Sequence, residues 1–196
     1  MRADASILLL SLLSLAAGSA GCRQADPPAG QPASPPASET PQPAPARPGV
    51  EGLLDSDFPS WEWVKVRQRD LDLLQEQGQE TAEPSHVTGD FNGDGVDDHA
   101  VQVLYPGEGG ATTYTLAAYV SGDGRFEEKI LDRFPTDGGE LGIILLPAAK
   151  GQEVYDYEAN RKFPLERDAF IVVLSEKTSS VWILEGGEFR RVLMSD

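Results

Sequence analysis

The residues best suited to chemistry lie in one stretch, Gly-Asp-Phe-Asn-Gly-Asp-Gly-Val-Asp-Asp, at positions 89–98. Counted from Asp90 as position 1, side chains with oxygen ligands recur at positions 3, 5 and 9. Ca²⁺ takes about six to eight oxygen ligands, and a tight loop with alternate side chains pointing inward supplies them. Gly95, at position 6, permits the sharp turn. The spacing therefore predicts a Ca²⁺ site formed by the side chains of Asp90, Asn92, Asp94 and Asp98 and the main-chain carbonyl of Val96.

Two other kinds of loop share part of this pattern. An EF-hand needs a bidentate Glu at position 12, where this chain has Val101, so a true EF-hand is excluded. An Asx-rich turn that binds no ion stays open, because Asp and Asn side chains bond readily to nearby main-chain groups. Closely spaced like charges favour the ion, since they repel one another without a cation.

The loop resembles the calcium-binding loop of FG-GAP/VCBS repeats, the units of integrin-like propeller blades, which read D-x-N-x-D-G-x-x-D before an apolar strand. The matching residues are Asp90, Asn92, Asp94, Gly95 and Asp98. The resemblance implies that the loop ligates Ca²⁺ and fixes a hairpin. The pattern occurs once in the chain, and a seven-bladed propeller needs several hundred residues, so we expect a single-unit relative.

The elements that must position this loop are strands. After residue 85, apolar and polar side chains alternate with period two between turns rich in Gly, Asp and Asn. This pattern predicts strands at residues 99–105, 112–120, 126–131, 141–146, 153–158, 168–174, 180–184 and 188–193. Upstream, residues 55–79 combine a helical spacing of apolar side chains with a Val-Lys-Val alternation typical of a strand. The expected fold is mainly β (α+β), with antiparallel sheets, hairpin connections and a short N-terminal helix.

The start of the chain predicts export. An apolar run of 11 residues at positions 7–17 has the length of a signal-peptide core and falls far below the roughly 20 residues of a membrane-spanning helix. The sequence Ala20-Gly21-Cys22 that follows resembles the signal of bacterial lipoproteins. The resemblance implies that residues 1–21 are a lipoprotein signal peptide and that Cys22 is lipidated.

Lipidation would fix the protein to a membrane of the cell envelope, because each buried CH₂ of an acyl chain contributes about 0.8 kcal/mol. Arg23 stands where the family has Asp in proteins retained at the inner membrane, so the outer membrane is favoured for a Gram-negative source. An ordinary secretory signal that leaves Cys22 as a free thiol is the alternative.

Residues 22–50 are predicted to be a lipid-anchored, Pro/Ala-rich disordered linker. Nine of the 15 prolines lie there, and such a composition favours polyproline II and buries little apolar surface. At about 3.1 Å per residue, the 28 residues after Cys22 would reach at most about 87 Å. The remaining residues, 51–196, have the size of one domain.

The charge excludes one class of partner. Three of the 16 Lys and Arg and three of the 32 Asp and Glu precede Glu51, so the whole net charge of −16 lies on residues 51–196. A domain this acidic repels polyphosphate, and nucleic acid is therefore not an expected partner. One Cys also excludes an intrachain disulfide.

The other candidate residues carry weaker signals. His99 is expected to be a packed or exposed bystander, because side chains alternate along a strand. His86, Ser85 and Asp90 lack the nucleophile elbow of a hydrolytic set. Asp156, Glu158 and Asp168 could act as an acid and base pair, but a solvated acidic surface is the simpler expectation for them.

Two hypotheses about function follow. The first is a cell-envelope lipoprotein, not an enzyme, whose calcium-stabilised FG-GAP/VCBS-like β domain at residues 51–196 acts as a structural or binding module toward an envelope protein or glycan. The alternative is an envelope hydrolase that uses carboxylates in a surface cleft. The residues identify no particular partner.

Overall fold

The computed structural model describes residues 49–79, 81–175 and 177–195. The predicted signal peptide, Cys22 and the predicted linker up to residue 48 lie outside the described residues, and the first helix begins at Val50. No helix within the described ranges has both the length and the apolar character needed to cross a membrane.

The described ranges contain two α-helices, one 3₁₀ helix and thirteen strands. The α-helices are α1 (Val50–Asp57) and α2 (Gln68–Glu76), and the 3₁₀ helix is Glu108–Gly110. The strands are β1 (Glu62–Trp63), β2 (Lys65–Val66), β3 (His86–Gly89), β4 (Asp98–Pro106), β5 (Thr112–Gly122), β6 (Arg125–Thr136), β7 (Glu140–Leu141), β8 (Ile143–Ala148), β9 (Glu153–Asp156), β10 (Arg161–Pro164), β11 (Ala169–Leu174), β12 (Thr178–Glu185) and β13 (Glu188–Ser195). The prediction of a mainly β chain with antiparallel sheets and a short helix before them is confirmed.

Strand β4 lies at the centre of the first sheet, whose order is β1-β4-β5-β6, with β3 also paired to β4. All of these pairings are antiparallel. Both faces of β4 are covered: Ala100 and Leu104 join the core shared with the second sheet, while Val101 and Val103 pack with α1. A strand covered on both faces needs an apolar run, and residues 100–104 supply one except at Gln102.

The second sheet has the order β13-β12-β11-β8 and is antiparallel throughout. Leu145, Phe170 and Val172 extend from it into the core shared with the first sheet. Its other face packs with Leu74 of α2. Two small pairs complete the described part of the fold, antiparallel β9 with β10 and parallel β2 with β7.

Most differences from the predicted elements fall before the loop. Residues 55–79 hold two-residue strands followed by α2. The helical spacing and the strand-like alternation in this segment were therefore each correct for part of it. Helix α1 and strands β3 and β10 were not predicted. Helix α1 buries only Val50 and Leu54, and β3 buries only Val87, which is too few apolar positions to produce a period in the sequence.

Helix α2 is fixed to the second sheet by a buried carboxylate. Asp70 is 1% exposed, and it accepts hydrogen bonds from Arg67 Nε at 2.6 Å and from Ser175 Oγ at 2.7 Å. Burial raises the pKa of Asp70, but the bonds from Ser175 and Arg67 outweigh burial and lower the pKa below its ordinary value. The ionised side chain therefore ties α2 to the turn after β11.

Gln102 is a polar residue in the middle of β4 and is fully buried. Its Nε2 donates to the carbonyl oxygens of Pro84 and Ile143, both at 2.9 Å. Its Oε1 accepts a bond from the hydroxyl of Tyr114 at 3.2 Å. Pro84 precedes β3 in the first sheet, and Ile143 begins β8 in the second. The Gln102 side chain therefore joins the two sheets where they meet.

We expect Gln102→Leu to lower the free energy of unfolding by roughly 2–4 kcal/mol, because it leaves the buried Ile143 carbonyl and the Tyr114 hydroxyl without this partner. The Pro84 carbonyl would keep its bond from the N–H of Leu145. Urea denaturation followed by tryptophan fluorescence measures the loss. Gln75→Leu, on the exposed side of α2, is the matched control and should change stability by less than about 0.5 kcal/mol. A similarly small loss for Gln102→Leu would contradict the role given to this side chain.

Candidate metal-binding loop

The predicted Ca²⁺ ligands lie in the loop between β3 and β4 and at the first residue of β4. Strand β3 ends at Gly89, which faces Asp98 across the antiparallel ladder. Gly93 and Gly95 have φ values of 83° and 82°, in the left-handed region that residues with a Cβ rarely adopt. Glycine at these two positions lets the chain turn back and close the loop in register.

Asp90 organises the first half of the loop. Its Oδ1 accepts hydrogen bonds from the N–H groups of Gly93 at 2.7 Å and Asp94 at 3.0 Å. Its Oδ2 accepts a third bond from the N–H of Gly95 at 2.9 Å. One carboxylate thus gathers three successive main-chain donors, and its own position is fixed by them.

Asn92 and Asp94 connect the loop to β5. Within the loop, Asn92 Oδ1 accepts from the N–H of Asp94 and Asp94 Oδ1 from that of Val96, both at 2.8 Å. Outside it, Asn92 Nδ2 donates to the carbonyl of Ser121 at 2.7 Å, and the Ser121 hydroxyl donates to Asp94 Oδ2 at 2.8 Å. The loop is therefore bonded to the first sheet at a residue distant in sequence.

Asp98 is fully buried and anchors the start of the loop. Its Oδ2 accepts from the N–H groups of Phe91 at 2.8 Å and Asn92 at 3.2 Å, and its Oδ1 from that of Ser121 at 2.7 Å. Burial raises the pKa of Asp98 and outweighs these donors, each of which lowers it. The ionised form of such a carboxyl is disfavoured, and a nearby cation would stabilise it.

Asp168 joins the loop to the second sheet. Its Oδ2 accepts from the N–H of Asp90 at 3.2 Å, and its Oδ1 accepts from the N–H of Lys150 at 2.8 Å. The neighbouring Arg167 packs against Gly93, where a Cβ would lie 3.2 Å from the Arg167 Nε. Sequence reasoning missed both contacts, because Asp168 follows Asp90 by 78 residues and no local spacing records the approach.

The predicted ligands fit Ca²⁺ in their chemistry, since all of them offer oxygen. A carboxylate has about four acceptor positions, and Asp90 and Asp98 each use three on main-chain N–H groups, which leaves capacity for an ion. Across residues 49–79, 81–175 and 177–195, no three or more His, Cys, Asp or Glu side chains are grouped so as to hold a metal ion. The metal role of the loop residues stays a prediction.

The histidine expected to be a bystander has a specific partner. His99 Nδ1 lies 3.1 Å from His86 Nε2, on the neighbouring strand. Burial, followed by the effect of His86, lowers the pKa of His99. Ser85, the hydroxyl residue next to His86, is not part of this pair: its hydroxyl donates to the carbonyl of Val64 at 2.6 Å. Sequence reasoning missed the histidine pair, because it depends on the register of β3 against β4.

The expectation of a solvated acidic surface holds for only part of the acids named above. Glu158 is exposed. Asp156 is 8% exposed, and its Oδ1 accepts from the N–H of Ala159 at 2.9 Å, so the expectation is wrong for this residue. Asp168 is half-buried and bonded to the loop as described. Both carboxylates accept hydrogen bonds from main-chain N–H groups, Asp156 within its own turn and Asp168 from segments distant in sequence.

Comparison with known proteins found no relative of this chain. No protein-family model, curated protein or solved structure matches the chain. The resemblances to FG-GAP/VCBS repeats and to lipoprotein signals therefore rest on the residues that carry them.

We expect Asp98→Asn to lower the free energy of unfolding by about 1–3 kcal/mol in the presence of a chelator. An amide has one acceptor oxygen, and its NH₂ group would face main-chain donors that the carboxylate now satisfies. Urea denaturation measures the loss, and Asp97→Asn, at the exposed neighbouring position, is the control. Equal stabilities of the two variants would show that Asp98 does not anchor the loop.

Proposed function

We propose that this chain is a cell-envelope lipoprotein whose β domain is stabilised by Ca²⁺ at residues 90–98 and serves as a structural or binding module. The observation that carries the proposal is the connectivity of the loop. Its side chains bond to Ser121 in the first sheet, and its main chain bonds to Asp168 beside the second. An ion that fixes the loop would therefore fix the end of the domain at which the two sheets are linked.

The charge of the loop supports a cation. Asp90, Asp94, Asp97 and Asp98 place four carboxylates within nine residues. Negative charges this close together repel one another, and the repulsion destabilises the folded loop. A bound divalent cation would neutralise two of the four charges. Extracytoplasmic Ca²⁺ sites commonly bind in the range of about 10⁻⁴–10⁻³ M, which suits a permanent structural ion better than a sensor.

The carboxylates of Asp90 and Asp98 are already hydrogen-bonded to main-chain N–H groups of the domain. A catalytic acid or base must reach its substrate, so this arrangement favours a structural or binding module over a hydrolase. The hydrolase alternative would need two carboxylates that face one cleft. Its candidates are Glu51 and Glu83, which line a common cavity of about 420 Å³. Loss of a glycan-cleaving activity in Glu51→Gln would favour this alternative.

We expect Ca²⁺ to raise the melting temperature of the full-length protein relative to the same sample with a chelator. Binding to the folded state alone contributes about 2.7 kcal/mol when the free ion exceeds its Kd 100-fold. Asp94→Ala should abolish the rise, because it removes a predicted ligand. Differential scanning calorimetry in both conditions makes the measurement.

The matched control for Asp94→Ala is Asp97→Asn, which removes a neighbouring charge that belongs to no predicted ligand position. This variant should keep the calcium-dependent rise. Superimposable melting curves of the parent protein with Ca²⁺ and with chelator would refute the calcium proposal, and loss of the rise in both variants would assign it to general charge.

We expect the protein recovered from bacterial membranes to carry acyl chains on Cys22, because the preceding residues resemble a lipoprotein signal. Intact mass spectrometry of the membrane fraction detects the added chains. Cys22→Ser should move the protein into the soluble envelope fraction, since the predicted signal core is too short to span a bilayer. An unmodified Cys22 in the processed protein would rule out the anchor and leave the calcium proposal untouched.

A further inference from the structure

The two histidines of the chain form a pair outside the loop at residues 90–98. His86 begins β3 and faces Val101, while His99 lies on β4 and faces Thr88, so the histidines are diagonal neighbours on one face of the sheet. The opposite face of the same strands joins the core between the sheets. His86 Nε2 and His99 Nδ1 are 3.1 Å apart.

Glu83 determines which nitrogen of His86 carries the proton. Its Oε2 lies 3.0 Å from His86 Nδ1. An ionised carboxylate only accepts hydrogen bonds, so neutral His86 is protonated on Nδ1 and has its lone pair on Nε2. The Nδ1–H of His99 then donates to that lone pair. A carboxylate on the outer nitrogen is the arrangement that orients histidine ligands of metal ions and increases their basicity.

Aromatic side chains hold both imidazole rings in place. The His86 ring stacks on Trp63, with centroids 5.7 Å apart and 21° between the planes. The His99 ring lies 5.5 Å from that of Phe126, at 47°. Because neither ring can swing away without losing these contacts, the two nitrogens are held near each other before any ligand binds.

A cavity of about 420 Å³ is lined in part by His86. Its lining includes Glu51, Trp63 and Glu83. The two carboxylates attract cations, and the volume is sufficient for an ion with bound water. A hydrated cation therefore has a path to the His86 side of the pair.

We propose that His86 Nε2 and His99 Nδ1 bind one late divalent transition-metal ion, Zn²⁺ or Cu²⁺, with water completing the coordination. At metal–nitrogen distances of about 2.0–2.1 Å, two ligands of a tetrahedral ion stand roughly 3.3 Å apart. The pair at 3.1 Å must open by a few tenths of an ångström, and each ring must turn so that its lone pair points at the ion instead of at the other ring. His99 then carries its proton on Nε2, and His86 keeps its bond to Glu83, so the ion enters without net release of protons.

This site differs in chemistry from the proposed Ca²⁺ loop and does not depend on it. Imidazole suits Zn²⁺ and Cu²⁺, whereas Ca²⁺ takes oxygen ligands. Two protein nitrogens make an open site, in keeping with the finding that the described part of the chain holds no cage of three or more His, Cys, Asp or Glu side chains.

Calorimetric titration of the full-length protein with ZnCl₂, and separately with CuCl₂, tests the proposal. Excess Ca²⁺ occupies the loop, and Cys22→Ser in every arm removes the single thiol as a competing ligand. One ion per chain is expected. His86→Ala and His99→Ala should each weaken binding by at least about tenfold, and Glu83→Gln by roughly tenfold. Glu76→Gln, exposed on α2, is the matched control and should bind like the parent.

Imidazole ¹⁵N NMR of the protein with both histidines intact tests the same proposal without a histidine substitution. It therefore still gives an answer if a histidine variant fails to fold. Zn²⁺ should shift His86 Nε2 and His99 Nδ1 in one titration. The proposal is overturned by absence of binding, by shifts confined to one ring, or by affinity that either histidine variant leaves unchanged. It is also overturned if Asp94→Ala abolishes Zn²⁺ binding, which would assign the ion to the loop.

Discussion

The buried amide of Gln102 allows the two sheets to share one core. The sheets meet where the chain before β3 approaches the start of β8, and the carbonyls of Pro84 and Ile143 there need hydrogen-bond donors. An apolar side chain would leave the Ile143 carbonyl and the Tyr114 hydroxyl without this partner, at about 1–3 kcal/mol each, whereas Pro84 would keep its bond from the N–H of Leu145. Gln102 supplies both bonds from one NH₂ group, and the Tyr114 hydroxyl satisfies its remaining oxygen. The Gln102 side chain thus adds hydrogen bonds between the two sheets to the apolar core that they share.

Asp98, the first residue of β4, is a second buried polar group that needs hydrogen-bond partners, and this group is a carboxyl. Asp98 receives three main-chain N–H groups, which fix the loop against β5. Hydrogen bonds alone complete the surroundings of a neutral amide such as Gln102. They do not remove the free energy of burying a charge, which is why burial raises the pKa of Asp98 despite its donors. The loop that Asp98 anchors therefore has a physical reason to attract a cation.

The hairpins could be predicted because their information is local. Alternation and glycine turns mark β4 to β6 and β11 to β13, and the turns at Gly124 and Gly186 have φ values of 79° and 60° that glycine adopts without strain. The position of the loop could be predicted for the same reason. The bond from the loop to Asp168 could not, because 78 residues separate Asp168 from Asp90 and only the packing of the two sheets brings them together.

Strand β3 shows how an element that sequence reasoning missed positions both proposed sites. Its four residues place His86 at one end and, at the other, Gly89, which faces Asp98. Because side chains alternate, Val87 enters the core while His86 lies on the opposite face beside His99. A slip of one residue would turn Val87 outward and force an imidazole into apolar surroundings. The first change loses the burial of an apolar side chain, and the second buries a polar ring, so both destabilise the fold. Burial of Val87 and closure of the loop by Asp98 select the same register. One short pairing thus places the proposed oxygen ligands near one end of β3 and the proposed ligand nitrogen of His86 at the other.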